Sequence, residues 1–185
     1  MPAQRRKLTR MTAVPSERPR VAIGDYVWVG AALTAFCVGL AVAIQTASGP
    51  APAADGVIGP MAALVSLTAL VWLAMVLVRN LTILHGTTDV RYYKDYASHT
   101  PLEWVERPAR LFNNLFQAPM LFYVVCLAML ATQRIDAAQL RLAWIYVAAR
   151  LVHAVIYVGW NYVPYRFAAW IASCIALGVL WFRFV

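Results

Sequence analysis

The sequence predicts an all-α integral membrane bundle, a four-helix core with one extra transmembrane helix before it. Three observations carry this reading. Hydrophobic residues make up 62% of the 185 and charged residues only 13%, against about 45–50% and about 25% in soluble domains. The apolar residues fall into five stretches of about twenty, the length that crosses a bilayer as helix. The net charge of +8 is concentrated, with six of the sixteen Lys and Arg in the first twenty residues. That is a membrane-orientation pattern. No basic surface domain accompanies it, so a nucleic-acid partner is not expected.

Residues 1–25 are polar and basic, with Pro15 and Pro19, and read as a tail. Residues 26–45 carry no charge and form the extra span. A signal peptide is the competing reading, because Ala51-Pro52-Ala53 has a small-x-small pattern. The long region before the apolar run and the central proline favour a retained helix. Residues 46–60 are a Gly, Pro and Ala loop without Lys or Arg, and 61–84 form the second span, with Arg79 and Asn80 late in it. Residues 85–108 are the one long polar loop, and residues 109–131, 139–160 and 166–185 form the remaining spans. The core domain is expected over 60–185. Cys37, Cys126 and Cys174 each lie singly in apolar runs and read as apolar thiols, with no metal site implied.

Charge bias sets the topology. The tail and the 85–108 loop, with Arg91, Lys94 and Arg107, are expected in the cytoplasm, and the uncharged 46–60 loop opposite. The cytoplasmic half of the bundle then holds Arg110, Asn114 and Gln117 from the third span, His153 and Tyr157 from the fourth, and Arg166 from the fifth. Arg150 lies deeper, roughly 15 Å from the end of its span at 1.5 Å per residue.

Arg150, His153 and Tyr157 are spaced i, i+3, i+7 and share a helix face, as do Arg110, Asn114 and Gln117 at i, i+4, i+7. An Arg at membrane depth costs roughly 2.5–3.5 kcal/mol, so such a stripe is a site by default. Arg107, Arg110, Arg150 and Arg166 supply cations, and no carboxylate lies within the stripes. A guanidinium surplus without a counter-ion implies an anionic partner, and the planar fork of Arg suits carboxylates. A small ligand with more than one carboxylate, in a pocket open to the cytoplasm, fits. His153 could instead donate to a helix carbonyl. Arg107, Arg91 and Arg183 read as interfacial anchors, Trp160 and Tyr162 as interfacial aromatics, Asn113 as interhelical glue, and His85 and His99 as solvated.

Two motifs, VERPARLFNNLFQ (105–117) and RLVHAVIYVGWNYVPYR (150–166), resemble the membrane-associated proteins in eicosanoid and glutathione metabolism, the MAPEG family. The likeness extends more loosely over about 60–185, and the second motif is most similar to the microsomal prostaglandin E synthase branch. The resemblance implies a homotrimer of four-helix units that binds glutathione between subunits near the cytoplasmic side. It implies that Arg110, Asn114, Gln117, Arg150 and His153 hold the tripeptide, with Arg79 a looser match. It implies that Arg166 and Tyr157 stabilise the thiolate, and that a lipophilic electrophile arrives from the bilayer. Gln117 departs from the family's usual Glu: an amide accepts a hydrogen bond but cannot pair with the glutathione ammonium. The expected function is a glutathione-dependent transferase or peroxidase in a bacterial inner membrane, N-terminus in the cytoplasm. A non-enzymatic protein binding a lipid or another anion in the same pocket is the alternative that the residues leave open, since the fold alone does not establish catalysis.

Overall fold

A computed structural model describes residues 22–95 and 101–185. The six cations of the tail and His99 lie outside the described residues. Seven α-helices follow in order: α1 (Ile23–Gln45), α2 (Ile58–Leu84, entered through the 3-10 turn Ala54–Val57), α3 (Val90–Asp95), α4 (Glu103–Asn114), α5 (Ala118–Thr132), α6 (Ala137–Val158) and α7 (Val163–Phe184). Counting α4 and α5 as one broken crossing, five segments are long and apolar enough to span a membrane. The all-helical membrane bundle read from the sequence is the observed architecture, with no strand among the described residues.

Two sequence expectations are corrected. The 85–108 loop is partly helical, because α3 and the first half of α4 lie within it. The third span is not one helix from 109 to 131. It breaks at residues 115–117, where Gln117 has φ −90° and ψ −93°. Pro119 is the cause: it has no N–H to donate to the Leu115 carbonyl, and its ring crowds that carbonyl. Gln117 therefore does not continue the face of Arg110 and Asn114.

Helices α6 and α7 form the most extensive pair. Helix α2 packs mainly on α4, and α1 lies across α7 and α6. The main core gathers Leu64, Phe122, Met129, Leu142, Tyr146, Ala176 and Leu180, with the rings of Phe122 and Tyr146 stacked at 4.6 Å. A smaller cluster of Val71, Leu111, Leu115 and Ala154 lies towards the other end, with Phe112 and Tyr157 against it. Arg150 and His153 are buried between the two. The end of the bundle remote from that smaller cluster is fastened by polar contacts. Asp136 caps α6 by accepting from the Gln139 N–H at 2.6 Å and pairs with Arg183 at 2.8 Å. Arg141 donates to the Ala43 carbonyl and to Thr46 Oγ1, both at 2.9 Å, which ties down the end of α1.

Candidate functional site

Three helices converge on Arg150. The break after Asn114 denies that residue's carbonyl its regular i+4 helical donor, and the Gln117 N–H reaches it at a long 3.3 Å. Arg150 adds a second donor: its Nη2 donates to Asn114 O at 3.1 Å and to Asn114 Oδ1 at 2.6 Å. Arg150 is 0% exposed, and its Nε and Nη1 have no partner among the described residues. It makes no ion pair among them, so the cation is buried against neutral groups. An unpaired buried charge is costly, and an incoming anion relieves that cost.

One turn on, His153 is also buried, and its Nδ1 lies 3.0 Å from the Arg166 carbonyl oxygen. An imidazole N–H facing a carbonyl oxygen acts as donor, so His153 fixes the backbone at Arg166 while its Nε2 stays unpartnered. This is the carbonyl-donor role that the sequence left open. Tyr157 contributes its ring face, over which the Arg166 guanidinium sits at 4.4 Å. Arg166 Nη1 also donates to Asn161 Oδ1 at 2.5 Å. One guanidinium, on α6, is thus buried, and another, on α7, is held over an aromatic ring.

The remaining sequence candidates are placed differently. Arg110 and Gln117 are exposed, and their side chains make no hydrogen bond or ion pair with another described residue. Arg79 bonds Glu106 Oε2 at 3.2 Å and lies 4.8 Å over the Tyr93 ring. Arg107 donates to the Gly159 carbonyl at 2.7 Å and pairs with Glu103 at 3.4 Å. The expected absence of internal counter-ions therefore fails for Arg107, because Glu103, on the first turn of α4, reaches it, and Glu106 of the same turn holds Arg79. Arg107 is fastened to the α6–α7 turn, which is more than an interfacial anchor does. Tyr162 likewise donates its hydroxyl to Asp25 at the start of α1 and is not a free interfacial aromatic.

Sequence reasoning missed Asn161, Glu103 and Glu106. A signal existed for one: Glu103 and Arg107 stand i, i+4, the spacing of a helical ion pair. Asn161 had none, since its role depends on the turn that brings it to Arg166.

The sequence profile of the MAPEG family matches residues 57–185, which span α2 to α7 and every side chain of the Arg150 and Arg166 group. The chain belongs to the MAPEG family. No curated protein and no solved structure matches it. Helix α1, at Ile23–Gln45, lies outside the part that matches the MAPEG profile. It packs on α6 and α7, the two MAPEG helices that carry Arg150 and Arg166.

Proposed function

We propose that the protein is a membrane-bound glutathione-dependent transferase or peroxidase acting on lipophilic electrophiles. The observation that carries this is Arg150: fully buried, held only by the neutral Asn114, with two nitrogens unsatisfied. A site built this way is completed by an anion, and glutathione brings two carboxylates and a thiol. Arg150, Asn114 and His153 form the inner wall, and Arg110 and Gln117 are the outer contacts. Gln117 offers the ligand's ammonium a neutral acceptor in place of a carboxylate, which makes the carboxylates the dominant handles. Arg79 is held by Glu106 and contributes at most one face of its guanidinium.

Arg166 and Tyr157 are the reactive pair. A guanidinium beside a thiol favours the thiolate, and the thiolate is the nucleophile. The Tyr157 ring holds the guanidinium through its π face, leaving N–H groups for the sulfur. In transfer, sulfur forms a bond to an electrophilic carbon, and the displaced electron pair leaves with the departing group or takes up a proton. In peroxide reduction, sulfur attacks one peroxide oxygen to form a sulfenic acid while an alkoxide leaves and is protonated, and a second glutathione thiol then attacks that sulfur, closing the disulfide and releasing water. A lipid-derived substrate belongs to the same proposal, because the 150–166 motif resembles the microsomal prostaglandin E synthase branch. Homotrimeric assembly in an inner membrane with the N-terminus in the cytoplasm belongs to the same proposal.

The test is glutathione titration of the detergent-solubilised protein by calorimetry, with the thiolate followed by ultraviolet absorbance. The expected result is binding with a thiolate signal at neutral pH, and Arg166→Ala keeps the binding and loses the signal. No binding at millimolar glutathione sinks the proposal. Binding without thiolate favours the non-enzymatic anion-binding reading instead.

A further inference from the structure

The α6–α7 turn holds a network that the pair of Arg166 and Tyr157 does not by itself require. Asn161 sits in the left-handed region at φ 52°, a conformation that Asn tolerates better than most residues. Its backbone N–H closes the end of α6 by donating to the Ile156 carbonyl at 2.8 Å. The same residue's side chain has both its ends engaged. Nδ2 donates to Glu103 Oε1 at 2.8 Å, and Oδ1 accepts from Arg166 Nη1 at 2.5 Å. The orientation of the amide is fixed by its partners, because a carboxylate only accepts and a guanidinium only donates. Behind it, Arg107 pairs with Glu103 and grips the Gly159 carbonyl two residues before Asn161. Helix α4 is thereby joined to Arg166 through a single side chain.

We propose that Asn161 is the positioning residue for Arg166, holding its guanidinium over the Tyr157 ring through a chain that runs from Arg107 and Glu103 on α4. The assignment rests on the function proposed above for Arg166. An Arg side chain has several rotatable bonds, and its position is worth most when it is fixed before the ligand arrives. Backbone fixation by His153 sets where the Arg166 chain begins, and Asn161 sets where it ends.

A purely local role for Asn161, as the left-handed residue that closes α6, is the competing explanation. Asn161→Gly separates the two: glycine adopts the left-handed turn freely but has no side chain to hold Arg166. Two measurements are made on the full chain. The first is modification of Arg166 by phenylglyoxal, read by mass spectrometry, which needs no glutathione. Asn161→Gly is expected to raise the rate roughly tenfold, the bias that a hydrogen bond to a charged group sets. Asn161→Asp, which keeps the acceptor for Arg166 but sets a second carboxylate against Glu103, is expected to fall between wild type and the glycine variant. The second is the pH titration of the glutathione thiol in the complex. Asn161→Gly is expected to raise its midpoint by about one unit, a tenfold loss of thiolate at neutral pH, with binding of glutathione unchanged.

Unchanged Arg166 reactivity in Asn161→Gly overturns the proposal, as does an Asn161→Asp protein as reactive as the glycine variant. If wild type forms no thiolate, the functional reading of Arg166 fails. The reactivity measurement then still decides whether Asn161 holds the guanidinium.

Discussion

Arg150 shows how one residue sets stability against function. It is 0% exposed and rests on Asn114 alone. Removing that partner leaves a buried charge with no side-chain acceptor, so Asn114→Ala is expected to cost about 1–3 kcal/mol, read as a shift of the unfolding midpoint in detergent. Arg150→Met replaces the guanidinium with an apolar chain in the same space. It is expected to leave stability equal or higher by about 1–4 kcal/mol while glutathione binding is lost. A strongly destabilised Arg150→Met protein would show that the charge holds the fold, with no need of a ligand to account for it. Much of this was legible in the sequence, because an Arg deep in an apolar run has few explanations and its spacing to His153 and Tyr157 fixes a shared face. The partner atoms were not legible. Asn114 meets Arg150 through its side chain and through a carbonyl that the helix break deprives of its i+4 donor, and Asn161 meets Arg166 only across a turn whose φ of 52° no periodicity encodes.

At the scale of elements, caps and breaks decide what the helices can do. The five apolar stretches were readable because length and composition suffice for them. The break in the third was signalled by Pro119 and overlooked, since an apolar run looks continuous until the missing donor is counted. At the far end of the bundle Asp136 closes α6 and anchors α7 through Arg183. Burial pushes its carboxyl upward, but the Arg183 hydrogen bond and the Gln139 N–H outweigh that and hold it below its ordinary 3.8. A group depressed on folding contributes stability above its unfolded value and loses it as the pH falls through the folded one. The contribution is therefore complete above about pH 4 and disappears in more acidic solution. The thermal midpoint of wild type is expected to fall in that acid window, and the Asp136→Asn midpoint to fall less. The amide still caps the helix but carries no charge for Arg183. Parallel curves for the two proteins would remove Asp136 as the source.

At the scale of the whole molecule, one chain does not complete the proposed site. Arg150 and Asn114 lie inside the bundle, whereas Arg110, one turn before Asn114 on α4, is exposed and its side chain has no hydrogen bond or ion pair among the described residues. A ligand gripped by both needs a second wall, and the proposed homotrimer supplies one if Arg110 of each subunit faces the Arg166 of its neighbour. Heterologous contacts that close a ring of three create three equivalent sites, each drawing on two chains. Arg110→Ala and Arg166→Ala are each expected to lose thiolate formation alone. Co-expressed in equal amounts, they assemble at random, and a site works where an intact Arg110 meets an intact Arg166 from the next chain. That juxtaposition occurs in about a quarter of sites in a random closed ring, so about a quarter of the wild-type thiolate signal should return. Two Arg residues serving the same site from the same chain would give no recovery at any mixing ratio. The mass of the cross-linked complex separates the remaining cases, since recovery requires both variants in one assembly, and a monomer cannot complement.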